Sequence, residues 1–555
     1  MKIVIVGGVA GGMSAAARAR RLAEDAEIVV LERGEHVSYA NCGLPYHLGE
    51  EITDRSALLL HTPDSLAATL ALDVRTRHEV TSVDPRARTV TATTPDGTTT
   101  IDYDALVLAT GAATIRPPIE GLDLPQVHAL RTVPDADALR AMVADGARRA
   151  VVLGAGFIGL EAAEALRLRG LEVDLVEMAP HVLPPLDAEL AALLDAELNA
   201  NGVRTHVSVA AQSVAPAERG VTVTLADGTE LPADIVVLAT GVRPDTRLAA
   251  SAGLDLGPSG AVLVDGAQRT SDPHIWAVGD ASAVRNAITD ALGPVPLAGP
   301  ANRQGRRAAD SILGRLTAGR AARPVLGTAV VRVFGLTAAV TGAGREALGR
   351  AGIRHHAVHL HPGHHAGYFP GAEQVHLTVT FADDGALLGA QAVGRAGVDK
   401  RIDVVATALA AGMVVDDLAE LELSYAPPYG SAKDPVNMAG FMAQNVLDGH
   451  LTLWYADDLE KVLDSALVLD VRSRREFAAG HVPGALNVPH TRLRSRLDEV
   501  RAAAGDRPVR VLCESGFRSY LAHRVLDQAG LDSANLSGGM LTLRAAHPGL
   551  DLVTD

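Results

Sequence analysis

Ala150-Val-Val-Leu-Gly154-Ala-Gly156-Phe-Ile-Gly159 is a complete GxGxxG set between an apolar run and the helix-forming stretch Leu160 to Leu168. A strand that turns on glycines into a helix aims the helix's unpaired first amides, and the positive end of its dipole, at a pyrophosphate. The next apolar run, Val173 to Val176, ends in Glu177. An acid there accepts from a ribose 2′-hydroxyl and repels a 2′-phosphate, so this unit favours NADH over NADPH. Gly154, Gly156, Gly159 and Glu177 are its cofactor-binding candidates.

Working outward, the same order of elements opens the chain. Lys2-Ile-Val-Ile-Val6 runs into Gly7-Gly-Val-Ala-Gly-Gly12 and then an Ala- and Arg-rich helix, and a second strand, Glu27 to Leu31, ends in Glu32. Val9 stands where the middle glycine of the fingerprint belongs, so this turn is a half-match. Gly7, Ala10, Gly12, Glu32 and the adjacent Arg33 are candidates for holding FAD or NAD. Two such units about 150 residues apart point to two dinucleotides. Ala105-Leu-Val-Leu-Ala-Thr110-Gly111 reads as a buried strand closing on glycine, and Ala233-Asp-Ile-Val-Val-Leu-Ala-Thr-Gly241 echoes it. Ile275-Trp-Ala-Val-Gly-Asp280 is another buried strand with an acid at its end. Between Glu79 and Tyr103, Thr-rich alternation around Pro95-Asp-Gly97 predicts an inserted β-meander.

Composition agrees with an α/β class. Of 555 residues 48% are hydrophobic and only 3% aromatic, the Ala, Leu and Val economy of helices on parallel strands, and the length calls for three or four domains. A net charge of −16 argues against nonspecific nucleic-acid binding, so a polyanionic ligand needs a local basic patch. Met1 leads directly into a strand, with no signal peptide and no apolar run long enough to span a bilayer, which predicts a cytoplasmic protein with no membrane partner. Two cysteines about 470 residues apart form neither a disulfide framework nor a zinc cluster.

One of them lies in Ser38-Tyr-Ala-Asn41-Cys42-Gly-Leu-Pro-Tyr-His-Leu-Gly49. A lone cysteine is commonly core filler, but a turn-rich stretch just past a nucleotide-binding strand is a poor place for it, so Cys42 reads as a redox thiol. A helix beginning there is expected to lower its pKa. Arg18, Arg20 and Arg21 on the first helix form a cationic cluster, either solvated or docking an anionic substrate.

With these motifs, residues 1 to about 445 resemble the pyridine nucleotide-disulfide oxidoreductases, in the single-cysteine branch that includes coenzyme A-disulfide reductase, NADH oxidase and NADH peroxidase. The resemblance implies two Rossmann-like domains, FAD in the first and NADH or NADPH in the second, with Asp280 at the flavin ribityl chain. Dithiol members carry Cys-x4-Cys, whereas His47 stands five residues after Cys42, which excludes a dithiol mechanism. Peroxidase and oxidase members carry a histidine in the first glycine turn, where this chain has Ala10. Asn41-Cys42-Gly-Leu-Pro-Tyr, His365-Ala-Gly-Tyr368-Phe-Pro-Gly371 and Tyr425-Ala-Pro-Pro-Tyr-Gly-Ser-Ala-Lys433-Asp434 look like the coenzyme A-disulfide reductase pattern. It implies a homodimer in which Tyr368 and Tyr425 of the mate approach the cysteine, and a coenzyme A channel lined by Ser14, Arg18, Arg21, Ser38, Asn41, Asn302 and Lys433. Leu70 departs from it, where a basic residue is expected.

A polar segment around residues 448–458 reads as a linker to a separate module. There Leu467-Val-Leu-Asp470-Val-Arg472, Glu476-Phe-Ala-Ala-Gly480-His-Val-Pro-Gly-Ala-Leu-Asn487-Val-Pro489 and Pro508-Val-Arg-Val-Leu-Cys513-Glu-Ser-Gly-Phe-Arg518-Ser follow in order. A strand running into a cysteine loop that closes on a helix cradles an anionic sulfur in backbone amides. The module resembles a rhodanese domain, which implies a sulfane sulfur on Cys513 and an Arg518 that braces the loop or binds an anionic donor. A phosphatase loop holds one residue more between cysteine and arginine, and inactive rhodanese-like modules usually lack the cysteine. The run His355-His356, His359, His361, His364-His365 offers no helical ligand face and is not read as a metal site.

The expected architecture is an FAD domain at 1–111 and 243–324, an NAD(P)H domain at 112–242, an α+β dimerisation domain at 325–447 and a rhodanese domain at 459–555. The expected activity is NAD(P)H-dependent, FAD-mediated reduction of coenzyme A disulfide, coenzyme A persulfide or polysulfide at Cys42, with those three substrates left open. The alternatives are an NADH oxidase, and a sulfur carrier reset by a flavin unit.

Overall fold

A computed structural model describes residues 1–554. The chain divides into two compact units, residues 1–178 with 202–327 and residues 179–201 with 328–555.

In the first unit, Lys2–Val6 is the middle strand of a parallel five-stranded sheet ordered Ile275–Ala277, Ala105–Leu108, Lys2–Val6, Glu27–Leu31, Asp73–Arg75. Its strands are apolar on both faces: Ile3, Ile5, Ile28 and Val107 pack on one side, Val4, Leu31, Leu106 and Ile275 on the other. Each such side chain, fully buried, contributes about 1.5–3 kcal/mol. One edge strand comes from far along the chain, so the sheet closes only after an excursion of more than 160 residues and this nucleotide unit is discontinuous. Helix Ala10–Leu22 packs on helix Ala298–Ile312, and the two approach so closely at Gly305 that a Cβ there would lie 2.1 Å from the Gly11 carbonyl oxygen.

The excursion holds a second parallel sheet, ordered Val203–His206, Glu172–Val176, Arg149–Leu153, Ile235–Leu238, Val127–Ala129. The expected meander forms from Glu79–Asp84, Thr89–Thr94 and Gly97–Asp102, with Val80, Val90, Ala92 and Ile101 turned inward. A matching three-stranded sheet, Ala211–Pro216, Val221–Leu225 and Glu230–Ala233, sits at the equivalent place in the second nucleotide unit.

The second unit contains an antiparallel sheet ordered Ala329–Val333, Leu336–Gly342, Leu387–Gly394, Val375–Phe381, His356–Leu360, covered by helices Val398–Ala411 and Pro435–Leu447. Helix Ala188–Ala200, which the sequence reading places within 112–242, belongs to this unit. Its acids explain why: Glu189 accepts from Arg345 and pairs with His359 at 2.8 Å, and Glu197 pairs with Arg395. Burial pushes Glu189 up, but the His359 hydrogen bond and the His359 and Arg345 charges outweigh it and hold the carboxyl down at about 2.

The C-terminal part folds on a parallel sheet ordered Leu453–Trp454, Ser533–Leu536, Val509–Leu512, Leu467–Asp470, Leu486–Asn487. The segment 448–458 is therefore not simply a linker. Trp454 is buried, donates its indole N–H to the Val511 carbonyl, and lies in the edge strand of this sheet. Of the histidine run, His356 and His359 lie on the strand His356–Leu360; His359 reaches Ser537 at 2.8 Å and His361 reaches Thr542 at 2.9 Å. Burial, then His376 and His359, hold His361 down at about 3. Among the described residues no group of three His, Cys, Asp or Glu side chains is placed to hold a metal, and no helix is long and apolar enough to cross a membrane.

Candidate active sites

The two glycine turns have the same geometry. Gly7 has φ +106° and Gly154 φ +102°; a Cβ on Gly12 would lie 1.9 Å from the Gly7 carbonyl oxygen, and one on Gly159 1.9 Å from that of Gly154. The Val9 departure thus touches only the middle position, which in the second turn is Gly156, facing open space. Glu32 accepts from the Gly8 and Gly34 amides, both at 2.7 Å, and Glu177 accepts from the Ala155 amide at 2.7 Å. Each acid is locked at its strand end beside the turn that would take the pyrophosphate.

The first turn opens on a cavity of about 940 Å³ lined by Gly7, Gly8, Val9, Ala10, Gly11, Glu32, Arg33, Thr110, Gly111, Asp280, Asn41 and Cys42. Thr110 donates to the Asp245 carbonyl and Arg33 to the Asp245 carboxylate, which fixes this wall. Burial pushes the Asp280 carboxyl up, and the Arg131 charge opposes it. A cavity of this volume whose lining holds a glycine turn and the acids Glu32 and Asp280 fits FAD. Gly241, at φ +96°, follows the corresponding strand, Ile235–Leu238, of the second nucleotide-binding sheet.

Cys42 lies in the 3-10 turn Asn41–Gly43, exposed to this cavity, with its thiol 3.8 Å from Asn41 Oδ1. The Ser38 amide donates to the Gly8 carbonyl at 2.7 Å and so holds this loop against the glycine turn. The expected lowering of the thiol's pKa does not occur. Burial by the surrounding walls pushes the Cys42 thiol up, and the Glu161 and Asp280 carboxylates add to it. The helix that follows, Leu44–Leu48, is only five residues long and offers a small dipole against two negative neighbours. His47 is buried and bound to the Ile52 carbonyl, a structural residue.

Of the candidate substrate residues, Ser14 donates to Asn302 at 2.6 Å and Arg18 is paired with buried Asp310 at 2.6 Å. Arg20 is not part of an open cluster: it is buried and donates to the carbonyls of Glu24, Leu70 and Ala71. Arg21 is exposed. Arg303 and Arg307, which the sequence reading did not single out, lie on the same helix as Asn302. Burial, then the Arg303 charge, hold Arg307 down. The run Asn302-Arg-Gln-Gly-Arg-Arg was the available signal.

In the second unit the Tyr368 and Tyr425 hydroxyls are 2.8 Å apart on exposed loops tied together by the Ala366 amide and the Gly430 carbonyl, and this hydrogen bond raises Tyr368. Lys433 is exposed nearby in sequence.

Cys513 is fully buried at the base of the loop that ends in helix Phe517–Gln528. The Met540 amide donates to its carbonyl at 2.8 Å, and Glu514 is gripped by Arg544 at 2.8 Å and Arg472 at 3.3 Å. Arg472 is itself buried against Asp470. Arg518 forms a two-pronged pair with Glu476, at 2.9 and 2.6 Å, and its pKa is raised by that hydrogen bond first and by Cys513 among the lesser causes. The arginine is thus held by Glu476 and lies close enough to Cys513 for that group to act on it.

Residues 1–304 match the family model of pyridine nucleotide-disulphide oxidoreductases, and residues 455–546 that of the rhodanese-like domain. The chain is 34% identical to a coenzyme A disulfide reductase of Staphylococcus haemolyticus over 449 residues, 80% of this chain and 100% of that protein. It is also 34% identical to an NADH oxidase of Methanocaldococcus jannaschii over 447 residues, 79% of this chain and 98% of that one. The crystal structure of reduced Bacillus anthracis CoADR-RHD is similar over 100% of this chain and 99% of its own, with 42% identity and a TM-score of 0.96. An NAD-dependent persulfide reductase from A. fulgidus is similar over 98% and 100%, with 37% identity and a TM-score of 0.92. The chain is thus an oxidoreductase of the pyridine nucleotide-disulphide oxidoreductase family that carries a C-terminal rhodanese-like domain.

Proposed function

We propose that the chain uses NADH, and less readily NADPH, to reduce coenzyme A disulfide, coenzyme A persulfide or polysulfide at the single redox cysteine Cys42, while Cys513 handles sulfane sulfur. The observation that carries this reading is Cys42 exposed on the wall of the cavity beside the first glycine turn, with no second cysteine among the described residues that line it. FAD would be held there by the Gly7 to Gly12 turn and Glu32, with Asp280 at its ribityl chain, and NADH by Gly154, Gly156, Gly159 and Glu177. When bound, the flavin supplies the electron pair drawn from the nicotinamide.

The protein's part is sulfur chemistry. The Cys42 thiolate attacks one sulfur of the substrate, a bond forms between Sγ and that sulfur, and the other sulfur leaves with the electron pair as a thiolate or hydrosulfide. Tyr368 and Tyr425, supplied by the mate in a homodimer, give that leaving sulfur a proton. Coenzyme A would lie along Ser14, Ser38, Asn41, Asn302 and Lys433. Because Asp310 already neutralises Arg18, Arg21 carries more of the attraction for the phosphates.

The domain boundaries proposed are 1–111 with 243–324 for FAD, 112–242 without the helix Ala188–Ala200 for NAD(P)H, 325–447 with that helix for dimerisation, and a C-terminal domain extended from 459–555 to begin at the strand Leu453–Trp454; the compartment proposed is the cytoplasm. The relative named NADH oxidase favours a second reading, reduction of oxygen; Ala10, which holds no proton in the first turn, counts against it. The test is anaerobic NADH consumption with each of the three sulfur substrates. A reductase turns over without oxygen, an oxidase only with it, and a sulfur carrier needs no NADH.

A further inference from the structure

His359 lies on the edge strand His356–Leu360 of the antiparallel sheet, and its ring is buried between two partners within the second unit. Nε2 is 2.8 Å from a Glu189 carboxylate oxygen, and Nδ1 is 2.8 Å from the Ser537 hydroxyl, which also accepts from the His359 backbone amide at 3.2 Å. With its Nε2 proton given to the carboxylate, the ring turns Nδ1 to Ser537 as an acceptor. Arg345, 3.1 Å from the same Glu189 oxygen, holds that acid in place. Ser537 opens the turn Ser537-Gly538-Gly539, which lies directly on the Cys513 loop. Gly538 and Gly539 have φ +73° and +64°; a Cβ on Gly538 would stand 2.9 Å from His359 Cβ, and one on Gly539 2.5 Å from the Cys513 carbonyl oxygen. Just past the turn, the Met540 and Leu541 amides donate to the Cys513 and Glu514 carbonyls at 2.8 and 3.0 Å. A trans peptide sets its C=O and N–H on opposite sides, so those two bonds send the Glu514 and Ser515 amides the other way.

We propose that His359 is a positioning residue of the Cys513 site: its Nδ1 fixes Ser537, and the Gly538-Gly539 turn passes that position on to the Glu514 and Ser515 amides. This rests on the reading of Cys513 as a sulfane-sulfur handler. In loading from polysulfide, the Cys513 thiolate attacks the terminal sulfur. The bond from Sγ to that sulfur forms, its bond to the next sulfur breaks, and the electron pair leaves on the shortened chain, so no oxidant or reductant is consumed. The terminal sulfur's proton passes to water, and the negative charge then sits on the outer sulfur of the persulfide. Backbone amides stabilise that charge only where their direction is fixed in advance, because a dipole that must first reorient returns part of the gain. A turn released at Ser537 frees the two carbonyls that set those amides. The strand carrying His359 therefore belongs to the framework of the Cys513 site, although it is supplied by the antiparallel sheet and not by the module that carries the cysteine.

The test uses the full-length, FAD-loaded Cys42→Ser chain, in which Cys513 is the only thiol. Two quantities are read: sulfur loading of Cys513 from inorganic polysulfide, timed by mass spectrometry, and alkylation of Cys513 by iodoacetamide against pH. Glutamine places a polar atom where Nε2 stands and asparagine one where Nδ1 stands, so the two contacts of His359 are separable. Adding His359→Gln, which keeps a partner for Glu189 and loses the one for Ser537, should slow loading at saturating polysulfide about tenfold with little change in the half-saturating concentration. It should also move the alkylation midpoint up by about one pH unit, the scale of one hydrogen bond to a charged group. His359→Asn, which keeps the partner for Ser537, should stay near the parent in both. Ser537→Ala cuts the same link from the far side, should repeat the glutamine result, and replaces it if that variant does not fold, as judged by circular dichroism. Equal effects of the glutamine and asparagine variants overturn the proposal, since a merely structural histidine would not tell its two nitrogens apart; so do unmoved rates and midpoints in the glutamine and Ser537→Ala chains. The His359-intact chain reads the underlying assumption separately: a gain of one sulfur atom on Cys513 supports the carrier reading, and none removes it, while the alkylation midpoints still report whether His359 acts on the cysteine loop.

Discussion

Arg518 and Glu476 face each other in a two-pronged ion pair whose contacts are 2.9 and 2.6 Å, joining the helix that follows the Cys513 loop to the short helix Arg474–Ala478. The Arg518 hydrogen bond, together with Ser473, holds the Glu476 carboxyl down at about 2 against an ordinary 4.5. A carboxyl whose folded pKa is depressed contributes stability above its unfolded value and loses it as pH falls through the folded one. The thermal midpoint should therefore fall between about pH 4.5 and 2, and Glu476→Gln should flatten that part of the curve. Because both side chains are partly exposed, the effect should be modest. A variant with the same acid slope as the parent, by differential scanning calorimetry, would exclude the pair as its source.

Among the described residues, Cys42 is the only cysteine lining the cavity beside the first glycine turn. Cys42→Ser should retain bound FAD and its bleaching by NADH, while NADH-dependent reduction of coenzyme A disulfide falls by about a thousandfold or more, the scale of removing a nucleophile. Full turnover by this variant would show that the sulfur chemistry happens elsewhere.

The raised Cys42 thiol sets a pH dependence. A thiol above its ordinary value yields more thiolate as the solution becomes more alkaline, so kcat/KM for disulfide reduction should keep rising with pH past the ordinary cysteine range. Glu161 is one cause of that elevation, after burial. Glu161→Gln should shift the alkaline limb toward lower pH; a limb that stays in place would mean that another group governs it.

These features were unequally legible in the sequence. Glu32 and Glu177 could be read because an acid ending the strand after a glycine turn is a local pattern, and their amide contacts follow from it. The meander was legible from alternation around one Pro-Asp-Gly turn. Helix Ala188–Ala200 was not, because its partners His359, Arg345 and Arg395 are distant in sequence and nothing in the helix announces them. The same holds for Cys42: a helix start is visible locally, but the Glu161 and Asp280 charges reach it only through the fold. Arg18 looked like one of three equivalent cations, yet Asp310 and four backbone carbonyls sort the cluster into a paired, a buried and an open arginine.

Glu177 bears on cofactor choice. Its carboxylate, held by the Ala155 amide, would lie beside the ribose and repel a 2′-phosphate. NADH should have the higher kcat/KM, and Glu177→Gln should narrow the preference by about tenfold, mostly through KM for NADPH. A native enzyme that prefers NADPH in steady-state kinetics would contradict this.

The reason two sulfur sites share one chain can be tested at Cys513. On the proposed reading, coenzyme A disulfide carries phosphates that Arg21 would attract, and it would need only Cys42. Inorganic polysulfide has no such handle, so it gains from a carrier that raises its local concentration through tethering, an advantage in the millimolar range for a short connection. Cys513→Ser should then slow persulfide and polysulfide reduction about tenfold at low substrate while leaving coenzyme A disulfide reduction nearly unchanged, and the deficit should shrink as polysulfide approaches saturation, because free substrate then replaces the tethered one. Both rates are measured anaerobically by NADH consumption on the same preparation. Equal loss of both would point to a folding defect in place of a lost relay, which calorimetry on the variant would reveal. No loss of either would mean that Cys513 moves sulfur independently of Cys42 and that the two sites are joined without being coupled.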